Sequence, residues 1–236
     1  MIGDNLKTLR DSINEVALRS NRDPDEIQLV AVSKRFPVAA IEEALEAGQV
    51  LFGENYIQEA AEKKRGLLDS IKLHFIGNLQ SNKAKIAVET CDMIETIDRP
   101  KIVRALHKYL EPEDRQLDVL VQVNVGEDPH KSGVLPDDTE SLLTYMQGFP
   151  KLKLRGLMTM PPFTSDPEMA RPYFRALRDL AEIMMAKGLL GTEGKVELSM
   201  GMSHDYHVAI QEGATLIRIG TAIFGERPPL SKKRRD

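Results

Sequence analysis

Residues 27–53, IQLVAVSKRFPVAAIEEALEAGQVLFG, contain the pattern that decides the fold. Two short apolar runs rich in β-branched residues, Ile27–Ser33 and Val50–Gly53, are typical of buried strands. Between them lies Val38–Ala47, whose apolar residues recur with the period of a helix. Gly48 follows this segment at the position where a helix C-cap is expected. The stretch therefore predicts a strand, a helix and a second, parallel strand.

The same alternation continues along the chain and predicts eight strands in all. The other six are expected at Leu73–Gly77, Met93–Ile97, Leu117–Asn124, Leu154–Met160, Val196–Met200 and Thr215–Ile219. Helical segments separate every pair of strands, and a further helix, Ile2–Arg19, precedes them. Eight parallel strands are the number that closes a β/α barrel. We therefore predict an α/β fold with a single domain over residues 1–236, a (β/α)8 TIM barrel with an extra N-terminal helix. A doubly wound open sheet is the alternative that the pattern allows.

The composition, with 42% hydrophobic and 29% charged residues, is that of an ordinary globular protein. No window reaches the roughly 18 uninterrupted apolar residues of a membrane span, and the first residues resemble an amphipathic helix rather than a signal peptide. We therefore expect a cytoplasmic protein that does not bind membranes. A net charge of −4 argues against nucleic-acid binding, and we interpret the basic run Lys232–Arg235 as a solvated tail.

A lysine follows the first predicted strand at the end where this fold places its chemistry. The amine of Lys34 can there be both partly desolvated and open to a ligand, and a neutral amine is the form that attacks an aldehyde. A solvated lysine at a strand end is the alternative that position alone leaves open.

Glycines and hydroxyl residues follow the seventh and eighth predicted strands, in Ser199–Ser203 and Gly220-Thr221. Loops after these two strands are the usual phosphate site of the fold, and a helix expected at His204–Glu212 would point its first N–H groups at the same place. Turns without a ligand are the alternative. Together with Lys34, this pattern indicates a phosphorylated aldehyde as the ligand.

Seven motifs carry a family resemblance that spans almost the whole chain. They are AVSKRFP around Lys34, FGENYIQEA at 52–60, HFIGNLQSNK at 74–83, HKSG at 130–133, GLMTM at 156–160, SMGMSHD at 199–205 and RIGTAIFG at 218–225. The set resembles the pyridoxal phosphate homeostasis protein family, also called proline synthetase co-transcribed homologues. The resemblance implies a monomeric barrel similar to the N-terminal domain of alanine racemase, with pyridoxal 5′-phosphate bound as a Schiff base on Lys34.

The resemblance also implies roles for residues near the eighth strand. Ser203, Gly220 and Thr221 are expected to bind the cofactor phosphate, and Arg218 to approach the pyridine nitrogen. A guanidinium can only donate hydrogen bonds, so it would keep that nitrogen unprotonated and weaken the ring as an electron sink. The alternative for Arg218 is a strand-end residue paired with a carboxylate.

Three further residues are expected at the same mouth of the barrel. Asn55 and His74 are assigned to contacts with the ring or its hydroxyl, and a hydrogen-bonded core histidine is the alternative for His74. Met160 occupies the place where alanine racemases, in an otherwise similar GLMTHF stretch, have a histidine. Its thioether can pack on the ring face but transfers no proton.

The sequence favours a carrier over an enzyme. Racemisation requires a proton acceptor on each face of the substrate Cα, and Lys34 supplies only one. In alanine racemases the second is a tyrosine from the C-terminal β domain of a partner subunit, and the sequence contains no such domain before it stops at Asp236. Tyr206 and His207 lie on a predicted helix and are expected to face away from Cα. The spacing of His204 and His207 lacks a third ligand, so no metal site is expected.

We therefore expect a protein of intracellular vitamin B6 homeostasis that buffers pyridoxal phosphate or delivers it to apo-forms of the enzymes that use it. A fold-type-III pyridoxal phosphate enzyme, such as a weak amino-acid racemase, and a cofactor-free Schiff-base aldolase are the alternatives. Lys131, on a loop at the barrel mouth, is interpreted as a second amine that meets cofactor as it enters or leaves. A solvated loop lysine is the alternative for Lys131.

Overall fold

The computed structural model describes residues 1–67, 70–192 and 194–226, and its eight parallel strands close into a barrel in chain order. The strands are β1 Gln28–Val32, β2 Leu51–Glu54, β3 Lys72–Phe75, β4 Met93–Ile97, β5 Leu117–Gln122, β6 Leu152–Met158, β7 Glu197–Met202 and β8 Leu216–Ile219. Pairing of β1 with β8 completes the closure. The predicted barrel is confirmed, and the open-sheet alternative is wrong.

Helices follow the strands around the outside of the barrel. They are α1 Ile2–Arg19, α2 Val38–Glu46, α3 Ile57–Leu67, α4 Ala84–Thr90, α5 Pro100–Leu110, α6 Pro136–Met146, α7 Arg171–Ala186, α8 Tyr206–Gln211 and α9 Thr221–Phe224. Short 3₁₀ turns cover Pro24–Glu26, Ser81–Lys83 and Pro167–Ala170. The extra N-terminal helix predicted from the sequence is confirmed with the same bounds. It packs against α2, α8 and α9 through buried residues spaced three or four apart, Leu6, Leu9, Ile13 and Ala17.

The helix after the seventh strand differs from its prediction. It begins at Tyr206 rather than at His204, because the Asp205 carboxylate accepts a hydrogen bond of 2.7 Å from the backbone N–H of Met202. That bond keeps residues 203–205 in a turn. The first N–H groups of α8 therefore lie two residues further along the chain than the sequence predicted. The short helix α9, which begins directly after Gly220, was not predicted.

Apolar side chains fill the barrel interior, so the barrel is packed and is not a channel. One cluster takes a buried residue from each of six strands: Val30, Leu51, Met93, Leu120, Met158 and Leu216. Met158 borders the cavity at the C-terminal ends of the strands, whereas Leu51, Met93 and Leu216 border a cavity at the opposite end. The functional site must therefore lie at one end of the barrel.

Three expectations concern the chain as a whole: the absence of membrane spans, the basic run near the C-terminus and the number of domains. Among the described residues, no helix is long and apolar enough to cross a membrane. The basic run Lys232–Arg235 lies outside the described residues. That residues 1–236 form one domain stays a prediction, which is consistent with the continuous order of strands around the barrel.

Candidate functional site

A cavity of about 270 Å³ at the C-terminal ends of the strands brings together seven of the eight residues predicted for the site. The seven are Lys34, Asn55, Met160, Ser203, Arg218, Gly220 and Thr221. They come from the ends of β1, β2, β6, β7 and β8, which parallel closure places at one mouth. The barrel therefore assembles a primary amine, a guanidinium and two hydroxyls around one volume.

Two hydroxyl groups meet on one side of this cavity. Thr221 Oγ1 lies 3.2 Å from Ser203 Oγ, so the loops after β7 and β8 are in contact. The backbone reaches this position through Gly201, whose φ is +91° and where an added Cβ would lie 2.6 Å from the Ala209 side chain. Ser203, Thr221 and the adjoining Gly220 thus form a compact group of neutral donors, which suits a phosphate.

A buried guanidinium forms the floor of the cavity. Arg218 is 4% exposed; its Nη1 donates to Ser199 Oγ at 2.5 Å and its Nη2 donates to the Thr159 carbonyl at 2.8 Å. Burial lowers the pKa of Arg218, and the charges of Glu95 and Asp205 oppose that shift. An arginine stays protonated in such an environment, so the floor of the cavity carries positive charge and offers donors only.

Lys34 is half-buried directly after β1, and a buried ionic cluster fixes the residue on each side of it. We call Ser33, Glu54, Glu59 and Lys63 the anchor cluster. Lys63 Nζ donates to Glu54 Oε1 at 2.6 Å, to Glu59 Oε1 at 2.7 Å and to the Ser33 carbonyl at 2.7 Å. The Ser33 hydroxyl donates to the same Glu54 oxygen at 2.7 Å. One ammonium thus ties the end of β1 to β2 and α3.

The anchor cluster also supports a strained backbone position. Arg35 has a φ of +69°, which is unfavourable for a residue with a side chain, and its N–H donates to Glu59 Oε1 at 2.5 Å. Burial raises the pKa of Glu54, and the neighbouring charge of Lys63 opposes the rise. The cluster therefore holds the turn on which Lys34 is presented to the cavity.

Asn55 supplies an acceptor that lacks a partner. Its Oδ1 is buried and accepts no hydrogen bond from any described residue. Asn55 is held in place by the close passage of the chain at Gly77, where an added Cβ would lie 2.1 Å from the Asn55 carbonyl oxygen. A buried acceptor without a donor is costly unless a ligand or water supplies one. Asn55 therefore fits a ligand that carries a hydrogen-bond donor.

His74 is the predicted site residue that does not line the cavity. It is buried in the barrel interior on β3, and its Nδ1 lies 2.7 Å from Glu95 Oε1. His74 therefore occupies the position of a hydrogen-bonded core histidine, which was the alternative to a contact with the cofactor ring. The physical reason is that the His74 side chain borders the cavity at the opposite end of the barrel, together with Leu51 and Met93.

Six residues that line the cavity were not among the predicted site residues: the apolar Val32, Ile76, Met158 and Met202, and two residues with rings, Phe163 and His204. Their rings lie 5.7 Å apart, and His204 Nε2 lies 3.1 Å from the Ser165 carbonyl oxygen. His204 directly follows Ser203, which was predicted for the site, so its place in the sequence could have identified it. Phe163 lies in the long loop after β6 and is 80% exposed, and nothing in its local sequence distinguishes it from an ordinary surface residue.

Other candidates for proton transfer or metal binding lie elsewhere. The Tyr206 hydroxyl lies 2.8 Å from Ser12 Oγ, so this side chain faces α1 rather than the cavity. Within the part of the chain that the structure describes, no cluster of three His, Cys, Asp or Glu side chains could hold a metal ion.

Comparison with known proteins agrees with this geometry. The family model for the alanine racemase N-terminal domain matches residues 5–228. The pyridoxal phosphate homeostasis protein of Escherichia coli is 41% identical over 232 residues, which cover 96% of this chain and 97% of that protein. The chain belongs to the pyridoxal phosphate homeostasis protein family. The member from Aquifex aeolicus is 38% identical over 225 residues, with 95% and 97% covered.

This family member is also similar to proteins whose structures have been solved. PipY of Synechococcus elongatus, solved with PLP bound, has a TM-score of 0.83 and 36% identity, and the match covers 95% of this chain and all of that one. Alanine racemase of Corynebacterium glutamicum has a TM-score of 0.73 at 18% identity, over 98% of this chain and 62% of that one. The racemase thus shares the barrel fold with this family member.

Proposed function

We propose that this protein binds pyridoxal 5′-phosphate reversibly on Lys34 and acts in intracellular vitamin B6 homeostasis, by buffering the cofactor or delivering it to apo-forms of pyridoxal phosphate enzymes. The observation that carries the proposal is the meeting of Lys34, Arg218 and the hydroxyls of Ser203 and Thr221 in one cavity. The PLP-bound structure of PipY supports it. We further propose that the protein is a monomer of the cytoplasm.

The donors of the cavity match the chemistry of this cofactor part by part. Ser203, Gly220 and Thr221 would hold the phosphate, and Arg218 would donate to the pyridine nitrogen. The unpartnered Asn55 oxygen would accept from a donor of the ligand. Pyridoxal phosphate supplies an aldehyde, which condenses with a lysine amine to a C=N bond with release of one water. Met160, exposed at the rim, would pack on the ring face.

The weak-racemase alternative has one observation in its favour. His204 lines the cavity, and histidine is the side chain that most often transfers protons in catalysis. Its Nε2 is already engaged with the Ser165 carbonyl, and the donor-only Arg218 would weaken the ring as an electron sink. We therefore favour the carrier. Incubation with L- and D-amino acids in deuterated water, followed by mass spectrometry, is expected to show no sustained Cα exchange. Exchange that disappears in both Lys34→Ala and His204→Gln would establish the enzyme instead.

Transfer of cofactor tests the carrier function directly. Protein loaded with pyridoxal phosphate is mixed with an apo-enzyme in the presence of a trap for free aldehyde, and recovery of the enzyme's activity is followed. Recovery that survives the trap indicates direct delivery, and complete interception leaves buffering alone. Failure of the protein to load any cofactor, or loading that Lys34→Ala leaves unchanged, would refute the proposal.

The amine of Lys131 is expected to affect how fast cofactor enters and leaves. Its Nζ donates to the Met160 carbonyl at 3.1 Å, which places it at the rim of the cavity. Burial lowers the pKa of Lys131, and Asp128 opposes the shift. A lowered pKa means that the reactive neutral amine forms at a lower pH than in an ordinary lysine. Lys131→Ala should therefore slow loading and release, and the difference from the unchanged protein should grow as the pH rises.

Stopped-flow absorbance at about pH 7 and about pH 9 measures this effect. Lys72→Ala is the matched control, because Lys72 is an exposed lysine beside the cavity at the opposite end of the barrel. Equal rates in Lys131→Ala and in the unchanged protein at both pH values would leave Lys131 as a solvated loop residue.

A further inference from the structure

A chain of four buried polar side chains runs from the cavity floor into the barrel interior. Arg218 Nη1 donates to Ser199 Oγ at 2.5 Å, and the Ser199 hydroxyl donates to Glu95 Oε2, also at 2.5 Å. The other carboxylate oxygen, Glu95 Oε1, accepts from His74 Nδ1 at 2.7 Å. None of the four residues is more than 7% exposed. The chain links β8, β7, β4 and β3 through side chains alone.

Glu95 is the unusual member of this chain. It lies in the run MIETI of β4, between the buried Ile94 and the buried Thr96, and it is fully buried itself. A carboxylate in such a place is strongly unfavourable unless opposite charge and hydrogen bonds compensate it. Although burial alone would raise the pKa of Glu95, the hydrogen bond and charge of His74 and the charge of Arg218 lower it. Glu95 therefore carries its negative charge 4.0 Å from the guanidinium.

The Ser199 hydroxyl transmits the effect of that charge. A hydroxyl has one proton to donate, and a carboxylate can only accept, so the Ser199 proton points to Glu95. The lone pairs of Ser199 are then left facing Arg218 Nη1. Hydrogen bonds in such a chain polarise one another and fix their mutual orientation. With Nη2 bound to the Thr159 carbonyl, the guanidinium has two fixed acceptors on its inner side.

We infer that Glu95 is a positioning residue which, through Ser199, holds the Arg218 guanidinium at the cavity floor and so sets the hydrogen bond offered to the ring nitrogen of the cofactor. His74 is hydrogen-bonded to the second oxygen of Glu95 and so affects Arg218 only through Glu95. The inference rests on the proposed function, because the group that would face Arg218 is the ring nitrogen of the bound cofactor. It explains why Glu95, which does not line the cavity, is a fully buried carboxylate rather than an apolar residue.

The test uses pyridoxal phosphate labelled with ¹⁵N in the ring, bound to the full-length protein. Glu95→Gln keeps the shape of the side chain and removes its charge, and Ser199→Ala keeps both charges and removes the bridge. Both variants are expected to move the ¹⁵N resonance of the bound ring nitrogen away from its position in the unchanged protein. Release of cofactor should accelerate roughly 10–100-fold, the range known for outer partners of metal-binding groups.

Two comparisons separate a positioning role from a structural one. Glu212→Gln alters another buried carboxylate with arginine partners, Arg171 and Arg178, on the outside of the barrel, and should leave the resonance in place. In an Arg218→Met background, addition of Glu95→Gln should cause no further change of resonance or release rate, because Glu95 acts only through Arg218.

The outcomes distinguish the inference from the function on which it rests. Absence of any bound resonance in the unchanged protein would refute the proposed function. Normal binding there, with unchanged resonance and release in both Glu95→Gln and Ser199→Ala, would overturn the positioning role alone. If Glu95→Gln does not fold, Ser199→Ala decides the matter, since it removes a single hydroxyl.

Discussion

Lys34→Ala is expected to abolish the absorbance near the visible region that the proposed Schiff base of pyridoxal phosphate would give to the protein. Alanine lacks the amine that attacks the aldehyde, so only the noncovalent contacts proposed for Ser203, Thr221 and Arg218 would hold the cofactor. The cofactor should therefore be removed by gel filtration from Lys34→Ala and retained by the unchanged protein. Lys34→Arg should behave like the alanine variant, because a guanidinium keeps the positive charge but stays protonated.

Reduction of the loaded protein identifies the attached residue. Borohydride adds hydride to the carbon and a proton reaches the nitrogen, so the C=N bond becomes a C–N single bond that survives digestion. Mass spectrometry should find the added mass on the peptide that contains Lys34. Lys72→Ala provides the control, since that lysine is exposed at the opposite end of the barrel. Colour and label that persist in Lys34→Ala, carried by another lysine, would show that the anchor was assigned to the wrong residue.

The sequence predicted the barrel and most of the cavity for a geometric reason. Strands such as Met93–Ile97 are short apolar runs whose period is visible locally, and this strand has the bounds that were predicted. Closure in chain order then places every strand end at one mouth, so Lys34 and Thr221 meet although most of the chain separates them. Residues at strand ends were therefore predictable without knowledge of any contact.

Contacts inside the barrel were not predictable in this way. Glu95 is a single carboxylate in an apolar run, and its partner Ser199 is 104 residues away. Lys63 looks like an ordinary polar residue of an amphipathic helix, although its side chain is only 5% exposed. Local sequence gives the period of a strand or helix, but the pairing of buried charges depends on which strands become neighbours. A charge in an apolar run indicates a buried partner without identifying it.

Lys63→Met is expected to lower the free energy of unfolding by about 3–5 kcal/mol, the usual cost of removing one partner from a buried ion pair. Methionine fills much of the space but leaves Glu54, which is fully buried, without its ammonium partner. Glu59 and the Ser33 carbonyl lose the same donor. Urea unfolding of the apo-protein measures the change. Lys85→Met, in an exposed pair with Glu89, is the control and should change stability by no more than about 0.5 kcal/mol.

The pH dependence of this loss tests whether Glu54 is its cause. Burial raises the pKa of Glu54, and Lys63 opposes the rise, so removal of Lys63 should raise this pKa further. A carboxyl group with a raised folded-state pKa binds a proton more tightly when folded, so its contribution to stability falls as pH rises from the unfolded-state value of 4.5 through the raised value. The deficit of Lys63→Met should therefore be smaller at about pH 5 than at about pH 8. A deficit that is independent of pH would contradict this assignment.

The same substitution should weaken the hold on the cofactor as well as the fold. Without Lys63, Glu59 is less firmly placed to accept from the Arg35 N–H, and the strained φ of +69° at Arg35 loses support. Because Arg35 follows Lys34 directly, relaxation of this turn would move the amine relative to Arg218 and the hydroxyl pair. Release of pyridoxal phosphate should then be faster from Lys63→Met than from the unchanged protein. Both rates are measured without urea, where the variant is still folded. A variant that is destabilised but releases cofactor at the normal rate would show that the anchor cluster stabilises the barrel without positioning Lys34.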